Sequence, residues 1–103
     1  IGLRRGKGNA MNTEKDIRMK DGTVVPKGTP AAFEPGKPQL CIVHAANRDY
    51  RVRPQAAFQA PSVEEIEKAV HDGTCMSVAG YTVEPDGWDE KGSPSWLLAL
   101  GLI

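Results

Sequence analysis

Turn-forming residues interrupt this sequence at short intervals. The 103 residues include 11 Gly and 8 Pro, and Asp21-Gly22, Pro35-Gly36 and Asp86-Gly87 are typical turn pairs. Short runs between such turns favour short strands joined as antiparallel hairpins over long helices. A chain of this length has room for one hydrophobic core, which excludes a two-domain cleft. We therefore expect one small domain of short strands with few helices.

Apolar and β-branched runs between the turns predict about five short strands. Residues 39–45 form the most continuous apolar run, which predicts a central strand covered on both faces. Residues 50–53 alternate, so the Tyr and Val are expected to face inward and the two Arg outward. Pro30 weakens the strand at 29–33 and favours an edge position. The remaining strands are predicted at 17–19, at 23–25 and, as one or two pieces, within 74–83.

Two segments carry helix signals. Ser62 is a predicted N-cap, Glu65 completes a capping box and Gly73 ends the segment, so the first helix spans about 62–72. The second, at about 94–101, follows Ser93 as its N-cap and is almost wholly apolar, so it must be buried against the sheet or a partner chain. Together the elements predict an α+β fold: a small, strongly bent antiparallel sheet or barrel of about five short strands with two helices.

A basic, Gly-rich segment precedes these elements. We expect residues 1–15 to form a flexible tail and residues 16–103 to form a single compact domain. Residues 1–10 precede Met11 and are either a native basic arm or sequence added ahead of the native start. The segment lacks the apolar stretch of a signal peptide, and no run approaches the ~18 apolar residues of a membrane span, so we expect a cytoplasmic protein with no membrane contact.

Charge is distributed unevenly although the formal net charge is zero. Residues 1–53 carry eleven Lys or Arg against five acidic residues, and residues 54–103 carry two against eight. Such an asymmetry is typical of a polyanion-binding part joined to an acidic part, although a fold can also interleave the two halves. The leading hypothesis is therefore a small non-enzymatic module that contacts nucleic acid phosphates. The predicted contact residues are Lys20, Lys27, Arg48, Arg51 and Arg53.

The acidic half supports an alternative hypothesis, a protein-interaction or inhibitor module. Glu64 and Glu67 lie on the predicted outer side of the first helix, Trp88 lies in the acidic loop at 86–92, and Trp96 begins the apolar C-terminal segment. Tryptophans are enriched at the centres of protein interfaces, and an acidic surface can bind a basic partner. The same residues are expected as core and solvated surface if the C-terminal helix simply closes the fold. A homodimer through that helix and a monomer both remain open.

Two cysteines and two histidines give a third hypothesis, a small zinc-stabilised domain. The weak candidate ligands are Cys41, His44, His71 and Cys75, at spacings that zinc tolerates. Cys41 and His44, however, are three apart in a predicted strand and should point to opposite faces. No cofactor is predicted. No catalytic residue is predicted either, because no nucleophile, base and orienting group stand out together, and we expect a protein that is not an enzyme.

Overall fold

Short strands and helices alternate along the part of the chain that the structure describes. The computed structural model describes residues 11–103, and the predictions for residues 1–10 lie outside it. The strands are β1 (Met11–Asn12), β2 (Ile17–Arg18), β3 (Val24–Val25), β4 (Pro30–Phe33), β5 (Cys41–Ala45), β6 (Arg48–Val52), β7 (Cys75–Met76) and β8 (Thr82–Val83). The helices are α1 (Pro54–Ala57), α2 (Val63–Asp72) and α3 (Trp96–Ala99). The predicted α+β class is confirmed.

Four of the strands form the main sheet, in the antiparallel order β1-β4-β5-β6. β2 pairs with β3, and β7 pairs with β8, in two separate hairpins. The described strands therefore number eight rather than about five, and they form no closed barrel. Each strand of these two hairpins has only two residues. Such short strands show less of an alternating sequence pattern than the longer strands of the main sheet do.

Two strand predictions are wrong in their placement. β4 lies inside the sheet between β1 and β5 rather than at an edge, because Pro30 is the first residue of the strand, a position at which proline is tolerated. β5 is an interior strand as predicted, but only one of its faces is covered. Val43 is fully buried, whereas Ile42 is half-buried and His44 is exposed. One face of the main sheet is therefore open, and it is called the outer face below.

The inner face of the main sheet supplies one side of a single core. Cys41 and Val43 are completely buried there and pack in one cluster with Val25 of the β2–β3 hairpin. Phe58 and Leu97 extend the same cluster into the C-terminal part of the chain. Residues from the whole described chain therefore share one hydrophobic core, as expected for a domain of this size.

Helix α2 follows the sequence prediction closely. The Ser62 hydroxyl accepts the Glu65 backbone N–H at 3.2 Å, and the Glu65 carboxylate accepts the Ser62 backbone N–H at 2.9 Å, which confirms the capping box. Gly73 ends the helix with a φ of 73°, a left-handed conformation that favours glycine. None of the ten residues of α2 is fully buried, although Ile66 and Ala69 pack partly against the core.

The other helices depart from the sequence prediction. Pro54 follows β6 and begins the one-turn helix α1, because the fixed φ of proline suits the first helical position. The sequence pattern does not predict this helix. The predicted helix at 94–101 is only the single turn α3. Ser95, rather than Ser93, is its N-cap and accepts the Leu98 backbone N–H at 3.1 Å. The expected burial of this segment is confirmed, since Trp96 and its neighbours lie in the core.

The domain begins earlier than the sequence indicates. Residues 11–15 are predicted as part of the tail, but Met11 pairs with Ala31 in β1 and is buried in the core. The Glu14 backbone N–H also donates to the Ala57 carbonyl at 2.7 Å. Within residues 11–103, none of the helices has the length and apolar character needed to cross a bilayer.

Candidate functional site

Arg48 and Arg51 lie on opposite faces of the main sheet. The register of β5 and β6 sets Arg51 opposite Ile42 on the outer face, and sets Tyr50 opposite the buried Val43. Directly opposed residues of an antiparallel pair share a face, and faces alternate along a strand. Arg48, two residues before Tyr50, is therefore on the inner side, at the rim of the core. The predicted outward orientation of Arg51 is confirmed.

The other three basic candidates occupy separate places. Arg53 is exposed just after β6, Lys20 is in the β2–β3 turn, and Lys27 is in the turn that follows β3. The five predicted nucleic-acid contacts thus lie on two faces of one strand and on two turns. Electrostatic binding along a phosphate backbone is strongest when the cations line one continuous surface. Arg48 and Arg51 lie on different faces of β6, whereas the contact of Arg48 with Asp21 brings Arg48 beside the turn that carries Lys20.

Acidic side chains also accompany two of these arginines. Arg48 Nη1 lies 3.3 Å from Asp21 Oδ2, and Arg51 Nη2 lies 2.9 Å from Glu34 Oε1. The Tyr50 hydroxyl donates to Asp21 Oδ2 at 2.8 Å, and the Arg48 guanidinium lies 5.3 Å from the centre of the Tyr50 ring. The ring is thus held by contacts within the chain and is not presented as a platform on which a base could stack.

The two carboxylates are held in their charged form by these contacts. The backbone N–H of Thr23 and the Tyr50 hydroxyl lower the pKa of Asp21 below its ordinary value. The Arg51 guanidinium, followed by the Lys37 ammonium, lowers the pKa of Glu34. Both carboxylates remain ionised at neutral pH, and they offset part of the positive charge of Arg48 and Arg51.

The four candidate zinc ligands do not converge. Cys41 is fully buried on the inner face, whereas His44 is exposed on the outer face and has Nδ1 at 2.9 Å from Asp49 Oδ1. Both Cys41 and Cys75 are unpaired thiols, and burial raises the pKa of Cys41 to about 11, so its thiol is protonated. Residues 11–103 contain no group of three or more His, Cys, Asp or Glu side chains placed to hold a metal ion. His71 lies apart, at the exposed end of α2.

A concave surface lies between α2 and the β7–β8 hairpin, and we call it the α2 groove. It is an open cavity of about 560 Å³. Its apolar lining includes Ile66 and Ala69 from α2, Met76 from β7 and Trp96 from α3. Trp96 is 3% exposed and forms part of the floor, whereas Met76 is 57% exposed. The groove is therefore lined both by a buried apolar side chain, Trp96, and by an exposed one, Met76.

Charged side chains on α2 give the groove an acidic surrounding. The helix carries four carboxylates, Glu64, Glu65, Glu67 and Asp72, against one lysine, Lys68. Glu65, Lys68 and Asp72 line the groove itself, and Glu64 and Glu67 are exposed on the same helix. A net negative helix beside an apolar groove favours a ligand that is both apolar and positively charged.

The tryptophans predicted as partner contacts both serve the fold. The Trp88 ring packs edge-on against Phe33, with 6.3 Å between ring centres and an angle of 89° between the planes. This contact fastens the 84–92 loop to the main sheet, and Trp88 is half-buried. Trp96 is 3% exposed and lines the α2 groove. Helix α3 is buried against the fold of its own chain, so it does not present Trp96 as an exposed partner contact.

A buried polar network organises the segment from Ser77 to Ser95, and no local sequence pattern predicts it. Asp89 Oδ2 accepts the Ser77 hydroxyl at 2.5 Å, and Asp89 Oδ1 accepts the backbone N–H of Lys91 and of Ser93. Ser77, Ser93 and Ser95 are fully buried. The acidic loop at 86–92 is therefore anchored by one of its own acidic residues. Its donors and acceptors are used within the fold, which indicates a structural role.

Comparisons with protein-family profiles, with curated proteins and with solved structures gave no match.

Proposed function

We propose that this chain is a protein-binding module that is not an enzyme, and that the α2 groove receives a partner segment with an apolar side chain flanked by Lys or Arg. The observation that supports this most strongly is the state of helix α2. The helix is capped at both ends and amphipathic, yet only Ile66 and Ala69 pack against the core, and both are just partly buried. Helices of this kind usually gain most of their stability by burying an apolar stripe. A partner that covers the groove would supply that burial.

The exposure of particular apolar residues supports the same proposal. Val63 is 72% exposed, Val70 is 60% exposed, and Met76 across the groove is 57% exposed. Single exposed apolar residues are ordinary, but Met76 lines a concave surface whose floor includes Trp96, and Val63 and Val70 lie on the helix that forms one wall of that surface. Apolar surface next to a preformed cavity is typical of sites that accept a side chain from a partner.

The charge of α2 selects the class of partner. With four carboxylates and one lysine, the helix repels an acidic segment and attracts a basic one. A groove that is open along the side of a helix suits a peptide in an extended or helical conformation. We therefore propose a short basic and apolar protein segment as the occupant, rather than a nucleic acid.

A selection from random peptides tests the proposal directly, because the peptides themselves report the chemistry that the groove prefers. A phage-displayed library of dodecapeptides is selected on the full chain, and recovered peptides are synthesised and measured by fluorescence anisotropy. We expect enrichment of peptides with an apolar residue beside Lys or Arg. Met76→Glu should weaken their binding at least tenfold, because it places a carboxylate in the apolar part of the groove.

A matched variant tests whether the loss of peptide binding is specific to the α2 groove. Tyr81 is also a large exposed apolar residue of the C-terminal part, but it lies outside the α2 groove. Tyr81→Glu should leave binding within about twofold of the unmodified chain, since both variants add the same charge. Recovery of acidic peptides, or equal losses in the two variants, would contradict the proposal.

Nucleic-acid binding through Lys20, Lys27, Arg48, Arg51 and Arg53 stays a prediction. Anisotropy measurements with DNA and RNA oligonucleotides across a salt series test it, since phosphate contacts weaken steeply with salt. Reversing the charge of Arg51 and Arg53 together should abolish such binding if these residues carry it.

A further inference from the structure

Strand β6 is a free edge of the main sheet within residues 11–103. β5 and β6 are joined by Ala46 and Asn47, which have φ values of 51° and 62°. Two central residues with positive φ define a type I′ turn, in which the flanking residues, here Ala45 and Arg48, exchange backbone hydrogen bonds. Hydrogen-bonded pairs alternate along an antiparallel ladder, so Arg48, Tyr50 and Val52 are bonded to β5. The backbone groups of Asp49 and Arg51 therefore point away from the sheet.

The outward backbone groups of Asp49 and Arg51 have no other partner in the described structure. No turn, cap or side chain of residues 11–103 bonds their N–H or C=O groups. The edge thus presents two donors and two acceptors in the spacing of a strand. Such an edge is a template for another strand unless something blocks it.

The side chains on this edge are complementary to themselves. Asp49 and Arg51 lie on either side of Tyr50, on the outer face, and their side chains are 64% and 54% exposed. If a second β6 lies antiparallel with a two-fold axis at Tyr50, each Asp49 is opposite the Arg51 of the other copy. Opposite charges in directly opposed positions stabilise a pair of strands. In the same arrangement, Asp49 of one copy and Arg51 of the other also exchange backbone hydrogen bonds.

Other alignments of the two strands bring like charges together. A shift by two residues in one direction sets Arg51 opposite itself, and a shift in the other direction sets Asp49 opposite itself. Like charges in opposed positions destabilise the pairing. Edges that are protected against pairing usually carry charge for this purpose. The alignment that opposes Arg51 to itself also sets Asp49 opposite Arg53, so the largest charge penalty falls on the alignment that opposes Asp49 to itself.

We propose that β6 pairs with β6 of a second copy of this chain, antiparallel about Tyr50, to form one continuous sheet across two protomers. The pairing makes four backbone hydrogen bonds and two Asp49–Arg51 ion pairs. Arg51 can keep its contact with Glu34, because a guanidinium has five donors. A single strand edge buries less surface than a standard interface, so we expect a weak and reversible dimer.

A charge-exchange experiment tests this pairing by sedimentation equilibrium from 10 µM to 2 mM at low salt. Asp49→Arg alone and Arg51→Asp alone should each weaken self-association at least tenfold, because each sets like charges opposite one another. An equimolar mixture of the two variants should associate again, since the mixed pair restores both ion pairs. Glu67→Arg and Lys68→Asp on α2 are matched controls that change charge equally and should leave the dimer unchanged.

Backbone hydrogen exchange provides a readout that does not depend on variants. In the unmodified chain, the amides of Asp49 and Arg51 should become protected between 50 µM and 1 mM, while the amide of exposed Gly36 should not. A chain that is monomeric to 2 mM overturns the proposal. So does a dimer whose mixed variants fail to associate and whose Asp49 and Arg51 amides exchange freely.

Discussion

The main sheet and the C-terminal part of this protein are held together by different kinds of contact. In the sheet, strands of up to five residues alternate between a buried and an open face, and Cys41 and Val43 have no exposed surface. From residue 75 onward the strands have two residues each, and fully buried serines bond to Asp89 or to backbone groups. Both regions are well packed, but only the first depends on a periodic apolar pattern.

This difference determines how each region should respond to substitution. Removing a methyl group from the sheet leaves a cavity, whereas removing an acceptor from the polar network leaves buried donors without partners. The second kind of change has the larger cost per atom removed. We therefore expect the largest effects in the polar network, smaller ones in the sheet and the smallest at an exposed ion pair.

The largest loss is expected for Asp89→Ala. The Ser77 hydroxyl and two backbone N–H groups lose their acceptor, and we expect the free energy of unfolding to fall by about 3 kcal/mol. Urea unfolding followed by tryptophan fluorescence measures this change. Asp86→Ala is the control in the same loop, since Asp86 is exposed, and it should change stability by less than about 0.5 kcal/mol. Equal effects would show that the network does not hold the region.

Val43→Ala tests the apolar core of the sheet. Val43 is fully buried, and the lost contacts together with the cavity should cost about 2 kcal/mol. Val24 is the matched residue, because it is also a strand valine but is 48% exposed, and Val24→Ala should cost only about 0.5 kcal/mol. If the two valines gave the same loss of stability in urea unfolding, the assigned faces of the sheet would be wrong.

Ser62→Ala tests the helix that connects the two regions. The substitution removes the hydroxyl that accepts the Glu65 N–H, and the expected cost is about 1 kcal/mol. Val63→Ala, one residue along and 72% exposed, should change stability by less than about 0.5 kcal/mol. Thermal unfolding of the two variants side by side gives the comparison. A larger loss for Val63→Ala would mean that this side chain is covered in solution.

The smallest effect is expected for the exposed carboxylate of Asp21, whose pKa is lowered chiefly by the backbone N–H of Thr23, then by the Tyr50 hydroxyl, and least by its ion pair with Arg48. Because the folded-state pKa of Asp21 is lowered, its stabilising contribution is present above the ordinary value of 3.8 and is lost as the pH falls through the lowered pKa. Asp21→Asn should therefore flatten the fall in Tm below that pH, while Asp86→Asn should not. Parallel Tm curves for Asp21→Asn and the unmodified chain would contradict the assigned contacts.

Local sequence signals predicted the parts of the fold that depend on neighbouring residues. The limits of α2 follow from Ser62, Glu65 and Gly73, whose capping chemistry lies within one turn of the helix. The alternation in β6 likewise identified Arg51 as outward-facing. The same alternation places Arg48 on the inner side with Tyr50, so the sequence already indicates that Arg48 and Arg51 lie on different faces.

Long-range contacts account for what the sequence could not predict. Arg48 meets Asp21 across 27 residues, and no local pattern indicates this pairing. Ser93 and Ser95 are equally good N-caps by composition, and Ser95 is used because the Ser93 hydroxyl accepts the Ala79 backbone N–H. The surface around α2 also depends on tertiary packing. The helical spacing of Val63 and Val70 favours burial of both side chains, yet both are exposed.

The most direct test of the proposed function is to map a selected peptide onto the chain by ¹H–¹⁵N NMR. If the α2 groove is the binding site, titration with a basic and apolar peptide should shift the amide resonances of Ile66, Ala69 and Met76, and leave those of β6 unchanged. Shifts centred on β6 or on the 84–92 loop, with the resonances of α2 unmoved, would contradict the proposal.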